Sequence, residues 1–222
     1  MNEIFKYIVS RTYKPLLLRY LSGTRSYSYK NLVLKIPAEV FHPAFFSSTR
    51  ILLKYIERIP VINKSFLELG AGSGLISMIA SKRGAYVTAS DINSTAIDYL
   101  YRNADHNEAS INIIHSDLFD EIPVQEFDII AINPPYYKRK PVSQIDHAWF
   151  CGENGEYFSR LFQDLPDYIN EASLVLMVLC EGCDIPMIRD FAAANGFQMK
   201  CVHMKRNMVE MNFIYKIEMI HA

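Results

Sequence analysis

Apolar positions divide the chain into two unlike parts. From Ser65 onward, short apolar runs alternate with amphipathic stretches, the pattern of a mostly parallel sheet with helices on both faces. The runs predict strands over 65–69, 85–90, 111–115, 127–132 and 173–179, and the periodicity between them predicts helices near 74–82, 93–107, 155–170 and 184–195. Phe197 to Lys205 and Glu210 to Met219 then read as an antiparallel hairpin that finishes the sheet. Before Ser65 the apolar positions at 4, 5, 8, 9 and 16–18 fit one or two amphipathic helices, with Pro15 at a break. Residues 22–28 read as a turn and 31–36 as a short strand. A helix follows Phe46, with Ser47 or Ser48 as its cap and Ile51, Leu52, Tyr55 and Ile56 on its apolar face. The expected organisation is a small basic extension over residues 1–43 and an α/β domain over 44–222.

Composition narrows the class without naming a function. With 222 residues, 50% of them hydrophobic and 21% charged, the chain can bury one sizeable core. It has no apolar run of the ~18 residues that would predict a membrane span, and its first residues lack the continuous apolar stretch of a secretion signal. Four cysteines in a chain of this length do not make a disulfide framework, so the expectation is a cytoplasmic protein with reduced thiols. Cys180 and Cys183 have only Cys201 and His203 near them as further ligands, and no metal is expected. The net charge of -1 conceals an asymmetry: residues 1–60 carry ten Lys/Arg against three Asp/Glu. Lys6, Arg11, Lys14 and Arg19 fall among Tyr7, Tyr13 and Tyr20, which suits either a nucleic-acid surface or a solvated helix face with half-buried tyrosines.

Candidate chemistry sits at the ends of the predicted strands. The apolar run from Phe127 to Ile132 stops at Asn133-Pro134-Pro135-Tyr136, where two prolines end any ladder. Such an ending aims an amide, a fixed carbonyl and an aromatic ring beyond the carboxyl edge of a sheet, where ligands bind in open α/β folds. The first predicted strand runs into Gly70, Gly72 and Gly74, a turn permitting close approach of a ligand. The glycines are spaced G-x-G-x-G rather than as in dinucleotide binders, and Glu68 stands where it would repel a pyrophosphate. Asp91 ends the second strand, where a carboxylate can accept from both ribose hydroxyls. Asp117 closes the third, placed to accept from an adenine amine, or its neighbour Leu118 to donate a backbone N–H to adenine N1.

The set E-x-G-x-G-x-G with an aspartate after each of the next two strands resembles the class I S-adenosylmethionine-dependent methyltransferases. The resemblance covers Ser65 to the C-terminus. It implies a Rossmann-like seven-stranded sheet in the order 3-2-1-4-5-7-6, and S-adenosylmethionine as cofactor on Glu68, Gly70, Gly72, Gly74, Asp91, Asp117 and Leu118. Asn133-Pro134-Pro135-Tyr136 is similar to the motif of enzymes that methylate an NH2 attached to an sp2 carbon. It implies Asn133, Pro134 and Tyr136 as catalytic residues, with Pro135 beside them at the substrate. Val40-Phe41-His42-Pro43 followed by Thr49, together with the stretch from Ala148 to Gly155, resembles the protein-glutamine N5-methyltransferases that act on translation release factors. Cys151 and Ser48 depart from that group's pattern. Thr49 is thereby grouped with the cofactor-binding residues, and a protein substrate is expected ahead of RNA or DNA. The shorter archaeal and eukaryotic relatives work with a small activator protein. Lys138, Arg139 and Lys140 keep open an exocyclic base amine as acceptor, and a non-catalytic cofactor-binding module is a further alternative.

Overall fold

The computed structural model describes residues 23–43, 47–207 and 210–220; the helices expected over 3–21 lie outside them. The described chain begins with an antiparallel hairpin, β1 (Arg25–Tyr29) and β2 (Leu32–Ile36). Helix α1 (Ser47–Ile56) leads to β3 (Ser65–Leu69), α2 (Leu75–Lys82), β4 (Tyr86–Asp91), α3 (Ser94–His106), β5 (Ile111–His115) and β6 (Ile129–Ile132). A short 3-10 turn over Gln144–Ala148 precedes α4 (Glu156–Asp164), β7 (Leu174–Cys180), α5 (Ile185–Ala194), β8 (Phe197–Arg206) and β9 (Met211–Met219).

Seven strands form one sheet in the order β5-β4-β3-β6-β7-β9-β8, which counted within the sheet is 3-2-1-4-5-7-6. The first five are parallel, and β9 inserts antiparallel between β7 and β8. The chain crosses from β5 to β6 over β3, which makes β3 and β6 the switch point of the sheet, where ligands gather. Period-two alternation sorts the central strands between two cores. Ile130, Ile132, Met177 and Leu179 face Phe158 and Phe162. Ile129, Ala131, Leu176 and Val178 face Leu52, Leu53 and Ile76. Leu32, Leu34 and Ile36 of the hairpin join that second core and are at most 4% exposed.

The hairpin is fixed from its other edge by two side chains, Asn103 of α3 and Asn107, the residue that caps that helix. Asn103 Oδ1 accepts from Lys35 N at 2.8 Å while its Nδ2 donates to Lys35 O at 3.0 Å. Asn107, one turn on, makes the same pair with Val33, both bonds at 2.9 Å. The two amides take the place of a neighbouring strand.

Four expectations need correction. The stretch expected as a turn over 22–28 is strand from Arg25 on: Ser26 and Ser28 are the outward positions of β1, alternating with the half-buried Tyr27 and Tyr29. The strand expected from 127 begins at Ile129, because the Asp128 carboxylate accepts from Ser65 N and Oγ at 2.8 and 3.0 Å in place of ladder bonds. The helix expected over 155–170 is α4 followed by a separate 3-10 turn, Leu165–Tyr168, since Pro166 has no N–H to continue the first. Ser47 and Ser48 lie inside α1 rather than capping it, and the Ser47 hydroxyl accepts from Asn207 Nδ2.

Candidate active site

The carboxyl ends of β3, β4 and β6 open into a cavity of about 530 Å³. Its wall includes Glu68, Gly70, Gly72, Asp91, Asp117, Leu118, Thr49 and the whole Asn133–Tyr136 tetrapeptide. Gly74 is not part of the wall. It precedes α2 at φ 75°, and a Cβ there would lie 2.3 Å from Leu100 Cδ2, so its small size serves helix packing. Gly70 has a similar φ of 72°, but a Cβ on it would meet nothing within 4 Å, which leaves the space above the turn open to a ligand.

Asp91 is fixed from both sides. Its Oδ2 accepts from Gly72 N at 2.7 Å and its Oδ1 from Asn93 N at 2.9 Å, so the carboxylate braces the glycine turn against the start of α3. It is not the cap of that helix: Asn93 is, its side chain accepting from Thr95 N at 2.9 Å. Burial pushes the Asp91 carboxyl up, opposed by the bonds from Asn93 and Gly72 and by the nearby His115 and His147. Glu68 is 5% exposed. Its Oε2 accepts from Ser77 N at 2.8 Å and from the Ser77 hydroxyl, and burial pushes the carboxyl up to about 8. Asp117 pairs with Arg160 of α4 at 2.6 Å, and Arg160 reaches Asp120 at 2.9 Å, so one oxygen of Asp117 is already engaged. Leu118 holds a left-handed φ of 53° at the cavity edge, costly for a branched side chain, and is 6% exposed.

Asn133 leaves the sheet directly after β6. Its Nδ2 donates to Thr49 Oγ1 of α1 at 3.2 Å. The backbone N–H groups of Tyr136 and Tyr137 both point to Trp149 O, at 3.2 and 2.9 Å, and Cys151 N returns to Tyr137 O at 3.0 Å. These bonds close the base of the loop between Tyr137 and Trp149. Trp149 packs on Phe41 at a ring distance of 5.1 Å, which joins that loop to the segment leading into α1. The Tyr136 ring packs against the core, and burial beside Cys180 raises its hydroxyl pKa. Lys138 is ion-paired with Asp184, and Arg139 lies over the Phe150 ring at 5.1 Å; of the three basic residues, only Lys140 lines the cavity.

Some wall residues carried no sequence signal: Gln144 lines the cavity from the closed loop, and Tyr157 and Arg160 from one face of α4. His147, a lone histidine that reads as structural in the sequence, and Phe150 of the 148–155 stretch line it from the same loop. The pair at i and i+3 on an amphipathic helix is the one trace that could have pointed to Tyr157 and Arg160. Cys180 and Cys183 are buried with their sulfurs 3.7 Å apart, and no cluster of three or more metal-ligating side chains occurs among the described residues. No described helix is long and apolar enough to cross a membrane.

The sheet order, the glycine turn over β3 and the acidic strand ends together define a class I methyltransferase. The chain belongs to the Methyltransferase small domain family, which matches residues 34–152. It is 35% identical over 152 residues to a Methanocaldococcus jannaschii protein provisionally named a protein N5-glutamine methyltransferase, covering 66% of this chain and 75% of that one. A release factor glutamine methyltransferase of Streptococcus pneumoniae is 33% identical, over 52% of this chain and 45% of its own length. The chain thus spans less than half of the latter. A tRNA1(Val) (adenine(37)-N6)-methyltransferase of Shewanella loihica is 30% identical over 58% of each chain. In structure, the E. cuniculi Mtq2–Trm112 complex, responsible for methylating the termination factor eRF1, matches with a TM-score of 0.63 at 19% identity. That match covers 82% of this chain and 99% of the other, and it bears on the fold alone. The protein is an S-adenosylmethionine-dependent N-methyltransferase.

The cavity suits that cofactor. Its volume is in the usual range for a small-molecule site, and acidic side chains on its wall, Glu39, Asp91 and Asp117 among them, favour hydroxyl and amino groups over a polyphosphate.

Proposed function

We propose that the chain methylates the side-chain amide nitrogen of a glutamine in a protein loop, a release-factor-like acceptor. The observation that carries this is the placement of Asn133 and Pro134 on the cavity wall, Asn133 with one N–H of its amide donated to Thr49. Its Oδ1 and the Pro134 carbonyl are then the two acceptors for the N–H bonds of a planar NH2. Such a nitrogen is a poor nucleophile because its lone pair is delocalised. Two acceptors fix it with the lone pair turned toward the methyl and stabilise the positive charge that develops. Tyr136 offers its ring to the flat group. Asp91 and Gly70–Gly72 would hold the ribose and methionine parts of the cofactor and Leu118 N and Asp117 the adenine, while Glu68, protonated in the cofactor-free fold, would give up its proton as the cofactor's ammonium comes beside it.

Bound S-adenosylmethionine supplies a methyl on a sulfonium. Asn133 and Pro134 would aim the acceptor nitrogen in line with the C–S bond of that group, whose part would be to give its methyl to nitrogen and keep the C–S electron pair on sulfur. The acidic N-methyl product then releases its proton to water, so the chain needs no strong base.

Protein is favoured over nucleic acid by the two relatives named for glutamine and by the state of the basic residues. Lys138 and Arg139 are occupied by Asp184 and Phe150 and Arg160 by Asp117 and Asp120, which leaves Lys140 among the described cavity residues, a thin track for a phosphate backbone. The adenine-N6 relative keeps a base amine as the second reading. A small activator protein of the kind in the E. cuniculi complex is part of the proposal for the full activity.

The test is to incubate the chain with tritiated S-adenosylmethionine and, separately, purified release factor, total RNA and DNA. Label recovered as N5-methylglutamine is the expected result; label confined to RNA or DNA overturns the acceptor. Asn133→Ala should keep cofactor affinity and lose about 10²-fold or more in turnover. Unchanged turnover would remove Asn133 from the chemistry whatever the acceptor.

A further inference from the structure

Sequence resemblance groups Thr49 with the cofactor, yet its one recorded side-chain bond goes elsewhere, to a residue 84 positions away. We propose that Thr49 is a positioning residue for methyl transfer, holding the Asn133 amide in the one orientation that presents Oδ1 to the acceptor nitrogen.

An asparagine amide has two ends of nearly equal size, one accepting and one donating. With Oδ1 toward the cavity, Asn133 accepts an N–H of the acceptor. Turned over, it sets its own NH2 against another NH2, two donors face to face, and the arrangement that fixes the lone pair is lost. Backbone placement at the end of β6 sets where the side chain starts but not which end faces the cavity. In the structure Nδ2 donates to Thr49 Oγ1 at 3.2 Å, which leaves Oδ1 for the cavity, and because an acceptor NH2 offers only donors while the hydroxyl can rotate to accept, this is the orientation that satisfies all three groups at once.

Thr49 is built to hold still. It is 9% exposed, and its β-branched side chain has few rotamers in a helix. Helix α1 is anchored by Leu52, Leu53 and Ile56, each fully buried. Its first residue, Ser47, is bonded to Asn207 between β8 and β9. The hydroxyl at 49 is thus located by two distant parts of the sheet, and no charged group intervenes between it and the amide.

The inference rests on the role proposed for Asn133. Thr49→Val keeps the shape and removes the acceptor oxygen; Thr49→Ser keeps the oxygen. With whichever acceptor the wild-type chain labels, Thr49→Val should lower kcat about tenfold with little change in KM, and Thr49→Ser should recover most of it. Calorimetry with S-adenosylhomocysteine should give the same Kd for all three proteins. A Kd weakened by the Val variant in proportion to its activity would return Thr49 to the cofactor and overturn the proposal. So would an unchanged kcat while Asn133→Ala is inactive. Loss of activity in neither Thr49→Val nor Asn133→Ala would overturn the reading of Asn133 instead. A second measurement needs no acceptor. The side-chain NH2 resonances of Asn133, assigned by their disappearance in Asn133→Ala, should move upfield in Thr49→Val and return in Thr49→Ser. Identical resonances in wild type and Val variant would refute the bond itself.

Discussion

Replacing Glu68 by glutamine should change how stability depends on pH. The carboxyl is 5% exposed, both its recorded bonds come from Ser77, and it forms no ion pair among the described residues. Burial is the largest influence on it and lifts its pKa from 4.5 to about 8; the Ser77 bonds oppose that rise and the charge of Asp91 adds to it. This is an acid whose folded pKa exceeds its unfolded value. Between the two values the folded chain holds a proton that the unfolded chain has released, so stability falls as pH rises through that window. At about 1.4 kcal/mol per pH unit, the interval from 4.5 to 8 corresponds to an upper bound of roughly 5 kcal/mol. Glutamine keeps the shape and cannot ionise. Urea unfolding of the cofactor-free protein at several pH values from 5 to 8.5 measures the effect. Wild type should lose stability toward pH 8.5 by up to one proton's worth of slope, and Glu68→Gln should show a flatter profile and gain on wild type at the alkaline end. Parallel profiles for the two proteins would mean that Glu68 is already ionised in the fold, and the reasoning from burial would fail.

Three further substitutions separate packing from binding. Asp91→Ala removes the acceptor for both Gly72 N and Asn93 N, and calorimetry with S-adenosylhomocysteine should show affinity weakened by about tenfold or more; an unchanged Kd would refute its cofactor role. Gly74→Ala forces a Cβ to 2.3 Å from Leu100 and should cost about 1–3 kcal/mol of stability, read as a lowered Tm. Gly70→Ala, at a similar φ but with nothing within 4 Å, should cost less stability and more cofactor affinity, and equal Tm losses would refute the distinction.

What was legible in the sequence was what local pattern controls. The buried run into Asn133-Pro134-Pro135-Tyr136 and the glycines after β3 announce strand ends, and strand ends are where this fold keeps its chemistry. The sheet order came with the resemblance rather than with the pattern. What stayed hidden depends on contacts distant in sequence. Nothing near Asp117 announces that Arg160, 43 residues on, will engage it. Nothing near Thr49 points to Asn133. Serine misled at β1, where Ser26 and Ser28 read as turn formers and are the solvent face of a strand. Gly74 fitted the motif as well as Gly72 did, and only the position of Leu100 tells their roles apart.

The two amides at the end of α3 also bear on how the protein behaves in a crowded solution. A two-stranded hairpin has two bare edges, and a bare edge is a template for another chain. Asn103 and Asn107 occupy the outer edge of β2 with four bonds to Val33 and Lys35. Shortening both side chains would leave those N–H and C=O groups without partners while the fold stays otherwise intact. The cost would then appear as strand addition between molecules: self-association that grows with concentration, beginning at the hairpin.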